Sequence, residues 1–391
     1  MNIEVVDYDI CCAVGQGLDA LRASLRTHEA GLVKIHLEQA NLETWIGKVP
    51  EIDSIDWLGS WQSRNNALAL LGLNQGSLLR TIGELKRHYG AGRIGVAIGS
   101  STSSIDRTEA AYADLDSFGA FKPEYLQSNV HNPHAPGLFV AHYTGLEGPA
   151  ITVNTACSSS AKVFVTAARW LEIGLVDAVL VGGVDTLCLS VLCGFNSLQL
   201  LSPNPCRPFD KQRDGINLGE AGGFAVLQRA GEAIVTTGIS LKGYGESSDA
   251  YHMSHPHPEG LGARLSMESA LRRAGLVPAD VDYLNLHGTS SLANDKIEGV
   301  VVSTLFPRST FCSSTKALMG HTLGAAGITE AIIAMDVIAT DLVPGSVNLN
   351  ELDDELGLYI GSENLRKRCD YVMSNSFGFG GNNCSLLFGR V

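Results

Sequence analysis

The sequence has no Cys-x-x-Cys pair, no zinc-type Cys/His cluster and no long apolar run near its start. Its nine cysteines are odd in number and irregularly spaced, which suits a reducing compartment. A net charge of -13 argues against a nucleic-acid or anionic-membrane partner, because either would be repelled without a local basic patch. The opening MNIEVVDYDI carries Glu4 and Asp7 where a signal peptide would carry Lys or Arg before a long apolar run, so no export is expected. The least charged interval, Thr186 to Cys206, is broken by Ser, Asn, Gly and Pro and reads as core strand and loop, not as a membrane span. Coiled-coil and low-complexity segments are absent, and no internal repeat is visible by eye. A cytoplasmic enzyme is expected.

What the chain does have is 391 residues, 45% of them apolar, and 43 glycines, a balance that fits a layered α/β enzyme better than a helical bundle. The stretch Ile151 to Lys162, ITVNTACSSSAK, sets Cys157 among small residues between a strand ending near Val153 and a helical pattern of Ala161, Val165, Ala168 and Leu171 closed by Gly174. A cysteine at such a turn lies near unpaired N–H groups and the positive end of a helix dipole, which favour the nucleophilic thiolate. Arg93 to Ser104 reads as a buried strand entering a polar turn, a common ligand position. Asp177 to Gly183 reads as a strand buried on both faces, so strand, helix and strand follow in parallel-crossover order. Three histidines, His131, His134 and His142, lie in a proline-containing loop without regular ligand spacing, and no metal site is assigned to them.

The pattern turns polar between Glu232 and Thr237, which divides the chain into halves of residues 1–235 and 236–391. In the second half Met267 to Ala274 is helical and Val281 to Leu286 is a strand that delivers His287. Lys316 follows the turn after Cys312, His321 comes five residues later, Gly324 to Val337 is a helix, and Tyr371 to Phe379 is a strand running into GFGGNN. Singly these residues have structural explanations. Together, a Cys, two His and a Lys on small-residue turns after strands can meet in one cleft, because active sites of open α/β sheets gather at the C-terminal ends of strands.

The motifs TACSSS, RPFDKQRDG, HGTSSLANDKIE, SSTKALMGHTLGAAGITE and SNSFGFGGNN stand in an order and spacing that resemble the β-ketoacyl-acyl carrier protein synthases over residues 90 to 391. The resemblance implies a thiolase-like αβαβα fold of two similar halves, usually dimeric. It implies Cys157 as nucleophile, His287 and His321 as catalytic histidines, Lys316 with Glu330 as a supporting pair, and Asp295 and Glu298 as structural carboxylates. Thr289 and Ser291 would contact the pantetheine arm, Phe379 would be the gate, and the amides of Cys157 and Phe379 would form the oxyanion hole. No metal or other cofactor is implied, since substrates arrive on the phosphopantetheine of an acyl carrier protein.

The chain departs from many relatives at Ile216, where Phe is common, at Asn382, where Thr is usual, and at Thr102, where a bulky apolar residue often limits the acyl pocket. The smaller Thr102 hints at a longer or stiffer acyl chain. GESSDAYHMSHPHPEG and LNLHGT resemble the ketosynthases of aryl-polyene pathways, which would make the partner either a second copy or a chain-length-factor-like relative. Three other readings stand beside this one. They are a housekeeping fatty acid synthase, a catalytically silent chain-length factor, and a thiolase or coenzyme A-dependent condensing enzyme. Retention of Cys157, His287, Lys316 and His321 argues against the silent subunit, and the two-histidine signature against the thiolase. Arg64, Lys211 and Arg213 are the candidate contacts for an acidic carrier protein.

Overall fold

The computed structural model describes residues 3–50, 52, 55, 58–231, 236–357 and 359–391. Its β-branched and apolar runs form the strands of one extended sheet. In chain order these are β1 (Ile3–Cys12), β2 (Ile94–Gly99), β3 (Ala150–Val153), β4 (Ala178–Asp185), β5 (Ala221–Arg229), β6 (Ile239–Ser248), β7 (Tyr283–Asn285), β8 (Phe311–Ser313), β9 (Tyr371–Gly378) and β10 (Asn382–Arg390). The two-residue strand Gly15–Gln16 turns back on β1.

The spatial order is β8-β7-β9-β10-β6-β1-β5-β4-β2-β3. It reads as two copies of one five-stranded pattern placed back to back. In each, three strands run parallel (β4, β2, β3 and β9, β7, β8) and two antiparallel strands complete the set. Where a sheet in each half was expected, hydrogen bonding continues from one into the other. The first residues of β1, Ile3 to Val5, pair antiparallel with Leu241 to Ile239 of β6. The division expected at 235/236 falls at residues 232–235, outside the described residues.

Helices make the layers, among them α1 (Arg64–Leu73), α2 (Ala135–Thr144), α3 (Ser159–Glu172), α4 (Leu261–Ala274), α5 (Leu292–Leu305) and α6 (Ala326–Thr340). Alternate residues of a strand serve different layers, as the period of two requires. Val179 and Val181 of β4 join the central core with α3 and α6, whereas Ala178 and Leu180 join the outer core with Leu68 of α1 and Phe139 of α2. In the second half Val372 faces the same central core, and its neighbour Met373 packs with Met267 of α4 and Val301 of α5. The result is the αβαβα sandwich that the resemblance implied.

The two central helices touch backbone to backbone. A Cβ on Gly327 would lie 2.3 Å from the Ala161 nitrogen, and the Ile328 N–H donates to Ser160 Oγ at 2.9 Å. Leu323–Thr340 has the length and hydropathy of a membrane-crossing helix, yet 89% of it is buried between the sheets, where a helix apolar all round belongs. Its carboxylate Asp336 is paired with Arg22 at 2.7 Å. Because α3 and α6 meet near their N-termini, the turns that precede them are brought together.

Candidate active site

Cys157 follows Ala156, which holds a left-handed backbone (φ 52°) and so turns the chain sharply out of β3. The small hydroxyl residues of TACSSS bond their own turn. The Thr155 N–H donates to Ser159 Oγ at 2.9 Å, Ser158 Oγ to the Thr155 carbonyl at 2.9 Å and Ser159 Oγ to that of Ala156 at 2.5 Å. The end of β2 presses on the same turn, for a Cβ on Gly99 would lie 2.3 Å from the Ser160 nitrogen. Bulkier residues would separate the thiol from its neighbours.

His287 leaves the end of β7 on a turn gripped by Glu298. The N–H groups of His287 and Gly288 donate to its two oxygens at 2.8 Å each, and Asn375 and Asn294 donate at 3.3 and 3.4 Å. Asp295 accepts from the Phe209 and Ser290 amides at 2.8 and 3.1 Å, tying the RPFDKQRDG loop to α5. Both carboxylates therefore hold backbone in place. Burial pushes Glu298 up to about 7 against those donors, and raises Asp295 likewise.

Lys316 is buried with Glu330 as an ion pair and also donates to the His287 carbonyl at 2.5 Å. Its ammonium lies 3.4 Å from His287 Nδ1. An ammonium has only protons to offer, so Nδ1 is the acceptor and the ring proton sits on Nε2. His321, held by its N–H to the Asn217 carbonyl at 2.7 Å, places Nε2 3.0 Å from Cys157 Sγ. The two imidazoles stand edge to face, 5.3 Å between centroids. Glu330 is raised by burial to about 7, with Lys316 pulling the other way.

The electrostatics correct one expectation. Burial pushes the Cys157 thiol up to about 11, although Lys316 and the Phe379 N–H favour the thiolate. A helix dipole is worth on the order of 0.3–1 kcal/mol, less than the cost of desolvating a thiolate here. Burial, then the Lys316 charge, also holds both histidines well below the ordinary imidazole range. The resting site is a neutral thiol beside neutral imidazoles.

These groups open on a cavity of about 130 Å³. Ile216, Thr289, Ser291 and Phe379 line it, as do Cys157, His287 and His321, and the Thr289 and Ser291 hydroxyls are 3.0 Å apart. Ser291 also caps α5 through the Asn294 N–H. Thr102 is not in this wall. Its hydroxyl donates to buried Asp185 at 2.8 Å, and Ser100, Ser101 and the Gly324 amide converge on the same carboxylate. The small side chain thus serves a hydrogen bond, not extra room in this cavity.

Two docking candidates are also corrected. Arg64 is ion-paired with buried Glu220 and Arg213, 4% exposed, with Asp353, so neither guanidinium is presented to a partner. Lys211 is exposed but paired with Glu351. Sequence reasoning missed Phe195, which lies in the interval read as strand and loop but sits on the helix Leu189–Ser197 and stacks on Phe379 at 5.6 Å. It also missed Phe377, Asp249, His255 and Asn383 in the cavity wall. No motif marked Phe195, whereas Asp249 and His255 lie inside the GESSDAYHMSHPHPEG stretch.

His131 bonds Thr108 and the Tyr125 carbonyl, and His142 stacks on Trp61, so these two histidines do not converge. Cys157, His287 and His321 do converge, with donor atoms within 4.8 Å of one another. That trio fits a cation poorly, because Lys316 places a positive charge beside it and fixes the His287 proton on the nitrogen a metal would need.

The family model for the β-ketoacyl synthase N-terminal domain matches residues 66–233, and that for the C-terminal domain matches 239–350. The 3-oxoacyl-[acyl-carrier-protein] synthase 2 of Vibrio cholerae is 33% identical over all of this chain and 99% of its own length. Nodulation protein E of Rhizobium leguminosarum bv. trifolii is 34% identical over 77% of this chain and 76% of its own. Among solved structures, a chain of the Xenorhabdus doucetiae ketosynthase in complex with its chain length factor superposes with a TM-score of 0.89 at 38% identity, covering 100% of this chain and 98% of that one. With the fold, the Cys/His/His cluster and these likenesses in agreement, the chain belongs to the β-ketoacyl synthase family and is an acyltransferase of the 3-oxoacyl-[acyl-carrier-protein] synthase type, serving fatty acid or polyketide synthesis.

Proposed function

We propose that Cys157 carries the growing acyl chain and that His287 and His321 drive decarboxylative condensation with malonyl-acyl carrier protein. In the first half-reaction Sγ attacks an acyl thioester, the carbon–sulfur bond to pantetheine breaks, and the thiol proton ends on the departing pantetheine sulfur. The amides of Cys157 and Phe379 face the oxyanion, a contribution of about 3 kcal/mol for such a donor. In the second, malonyl thioester loses carbon dioxide and the electron pair of the broken bond forms an enolate. Nε2–H groups of the two histidines stabilise its oxygen. The enolate carbon attacks the acyl-cysteine, the thiolate leaves, and one proton from solvent restores the thiol.

The observation that carries this reading is the 3.0 Å approach of His321 Nε2 to Cys157 Sγ with the His287 ring beside both. Lys316 and Glu330 act as supporting residues, setting the His287 tautomer, and Thr289 and Ser291 receive the pantetheine arm. No metal is used. Mass spectrometry after incubation with acyl-acyl carrier protein tests the assignment: wild type gains an acyl adduct on the Cys157 peptide and Cys157→Ala gains none. An adduct on the variant, or none on wild type with any acyl donor, would sink it.

The proposed setting is a cytoplasmic heterodimer with a chain-length-factor-like relative, extending a conjugated, aryl-polyene-like chain. The likeness to a chain of a ketosynthase and chain length factor complex supports the pairing. The intact Cys/His/His/Lys set makes this chain the catalytic member, not the silent one. Co-expression with candidate partner chains, followed by sizing, checks the pairing. A stable homodimer that is fully active on saturated acyl chains would favour the housekeeping reading.

A further inference from the structure

The gate turn Gly378–Gly381 is held from two directions. On one side the Gly380 N–H donates to the Met253 carbonyl at 2.8 Å, the Asp249 N–H to the Gly381 carbonyl at 2.9 Å, and Asn383 to the Asp249 carboxylate at 2.8 Å. On the side of the nucleophile's helix a lysine reaches the residue that follows it. Lys162, one turn into α3, donates from Nζ to Asn382 Oδ1 at 3.2 Å. Its side chain is 14% exposed and its ammonium lies 4.0 Å from Glu246, whose carboxylate also pairs with Arg169 at 2.6 Å.

Asn382 is the residue that follows the two left-handed glycines Gly380 and Gly381 and begins β10. The lysine stands on the helix that starts beside the nucleophile, and Asn382 ends the turn whose Phe379 N–H faces Cys157 Sγ. Where a threonine would bond only over a short range, an asparagine amide extends far enough to meet the long lysine stem. We propose that Lys162 and Asn382 form a latch that fixes the Phe379 gate to the nucleophile's helix, making Lys162 a positioning residue for the oxyanion hole and for access to Cys157. This rests on the gate and nucleophile roles given above.

A charge-assisted hydrogen bond of this kind, partly exposed, shifts a closed–open equilibrium by about fivefold. Alkylation of Cys157 by iodoacetamide, followed on its own tryptic peptide, reads that equilibrium directly. Lys162→Met and Asn382→Ala each raise the alkylation rate about fivefold, and the double variant rises no further, because both remove one contact. Lys162→Arg restores a rate near wild type. Asn382→Asp, which turns the contact into an ion pair, slows alkylation below wild type. Acylation by acyl carrier thioester is measured alongside, with melting temperatures to confirm folding.

Wild-type alkylation rates in both single variants, or effects that multiply in the double variant, overturn the latch. That failure is distinct from failure of the nucleophile assignment, in which the wild type itself acquires no acyl adduct.

Discussion

In the first half of the molecule the turn between β3 and α3 delivers Cys157, and in the second the matching turn between β8 and α6 delivers Lys316 and His321. The strand order and helix placement are the same. What fills them is not. The Cys157 turn is built from small neutral residues bonded to their own backbone. The second half buries Lys316, Glu330, Glu298 and Asp295, all 2% exposed or less. The first half therefore presents a reactive atom on a neutral turn, and the second places the buried ammonium and carboxylates that hold His287 and its turn. Substitutions in the second half should consequently disturb chemistry and folding together.

Lys316→Met is the largest test of that difference. It leaves Glu330 buried without its partner, a loss on the order of 3–5 kcal/mol, and frees the His287 tautomer. Condensation should fall about a thousandfold or more, with a markedly lower melting temperature. Equal stability and activity would mean that the ion pair orients nothing. His287→Ala comes next. Acyl transfer to Cys157 persists while malonyl decarboxylation drops on the order of 100- to 1,000-fold, as for loss of one oxyanion donor. Radiolabelled carbon dioxide release separates the two steps, and unchanged release would remove His287 from the enolate role.

Much of this was legible in the sequence because the turns are short and their residues few. The strands at 94, 150, 178 and 371 lie where the apolar runs placed them, and those at 150 and 371 run into the turns that hold Cys157 and Phe379. The duplication was not legible, since the matched turns that hold Cys157 and Lys316 differ in their side chains. Helix α4 begins at Leu261, six residues before the expected Met267, because Gly260 can take the left-handed backbone (φ 61°) that starts it. Thr102, Arg64 and Arg213 were misjudged for one reason. Whether a polar side chain faces a cavity, a solvent surface or a buried partner depends on residues distant in sequence, here Asp185, Glu220 and Asp353.

The neutral turn of the first half has its own test. If burial outweighs the helix dipole, Cys157 alkylation in the free enzyme rises about tenfold per pH unit between pH 7 and 9, following the thiolate fraction of a group at about 11. A plateau below pH 8 would show that the dipole and Lys316 prevail, and would bring the two halves closer in character.

The smallest effect concerns Glu298, which grips the His287 turn. Its folded value of about 7 lies above the ordinary 4.5, so between those values the native protein holds a proton that the unfolded chain has released. Stability from this group is therefore greatest at low pH and declines as pH rises through 7, opposite in sign to a salt-bridged surface carboxylate such as Asp177, held at about 2 by Arg93 and Arg229 in the first half. Glu298→Gln should lower the melting temperature at every pH, because an amide cannot accept on both sides from the His287 and Gly288 N–H groups. It should also flatten the decline between pH 5 and 7.5 by on the order of 1–3 kcal/mol. An unchanged slope in the variant would mean that Glu298 stays ionised throughout, its four donors outweighing burial.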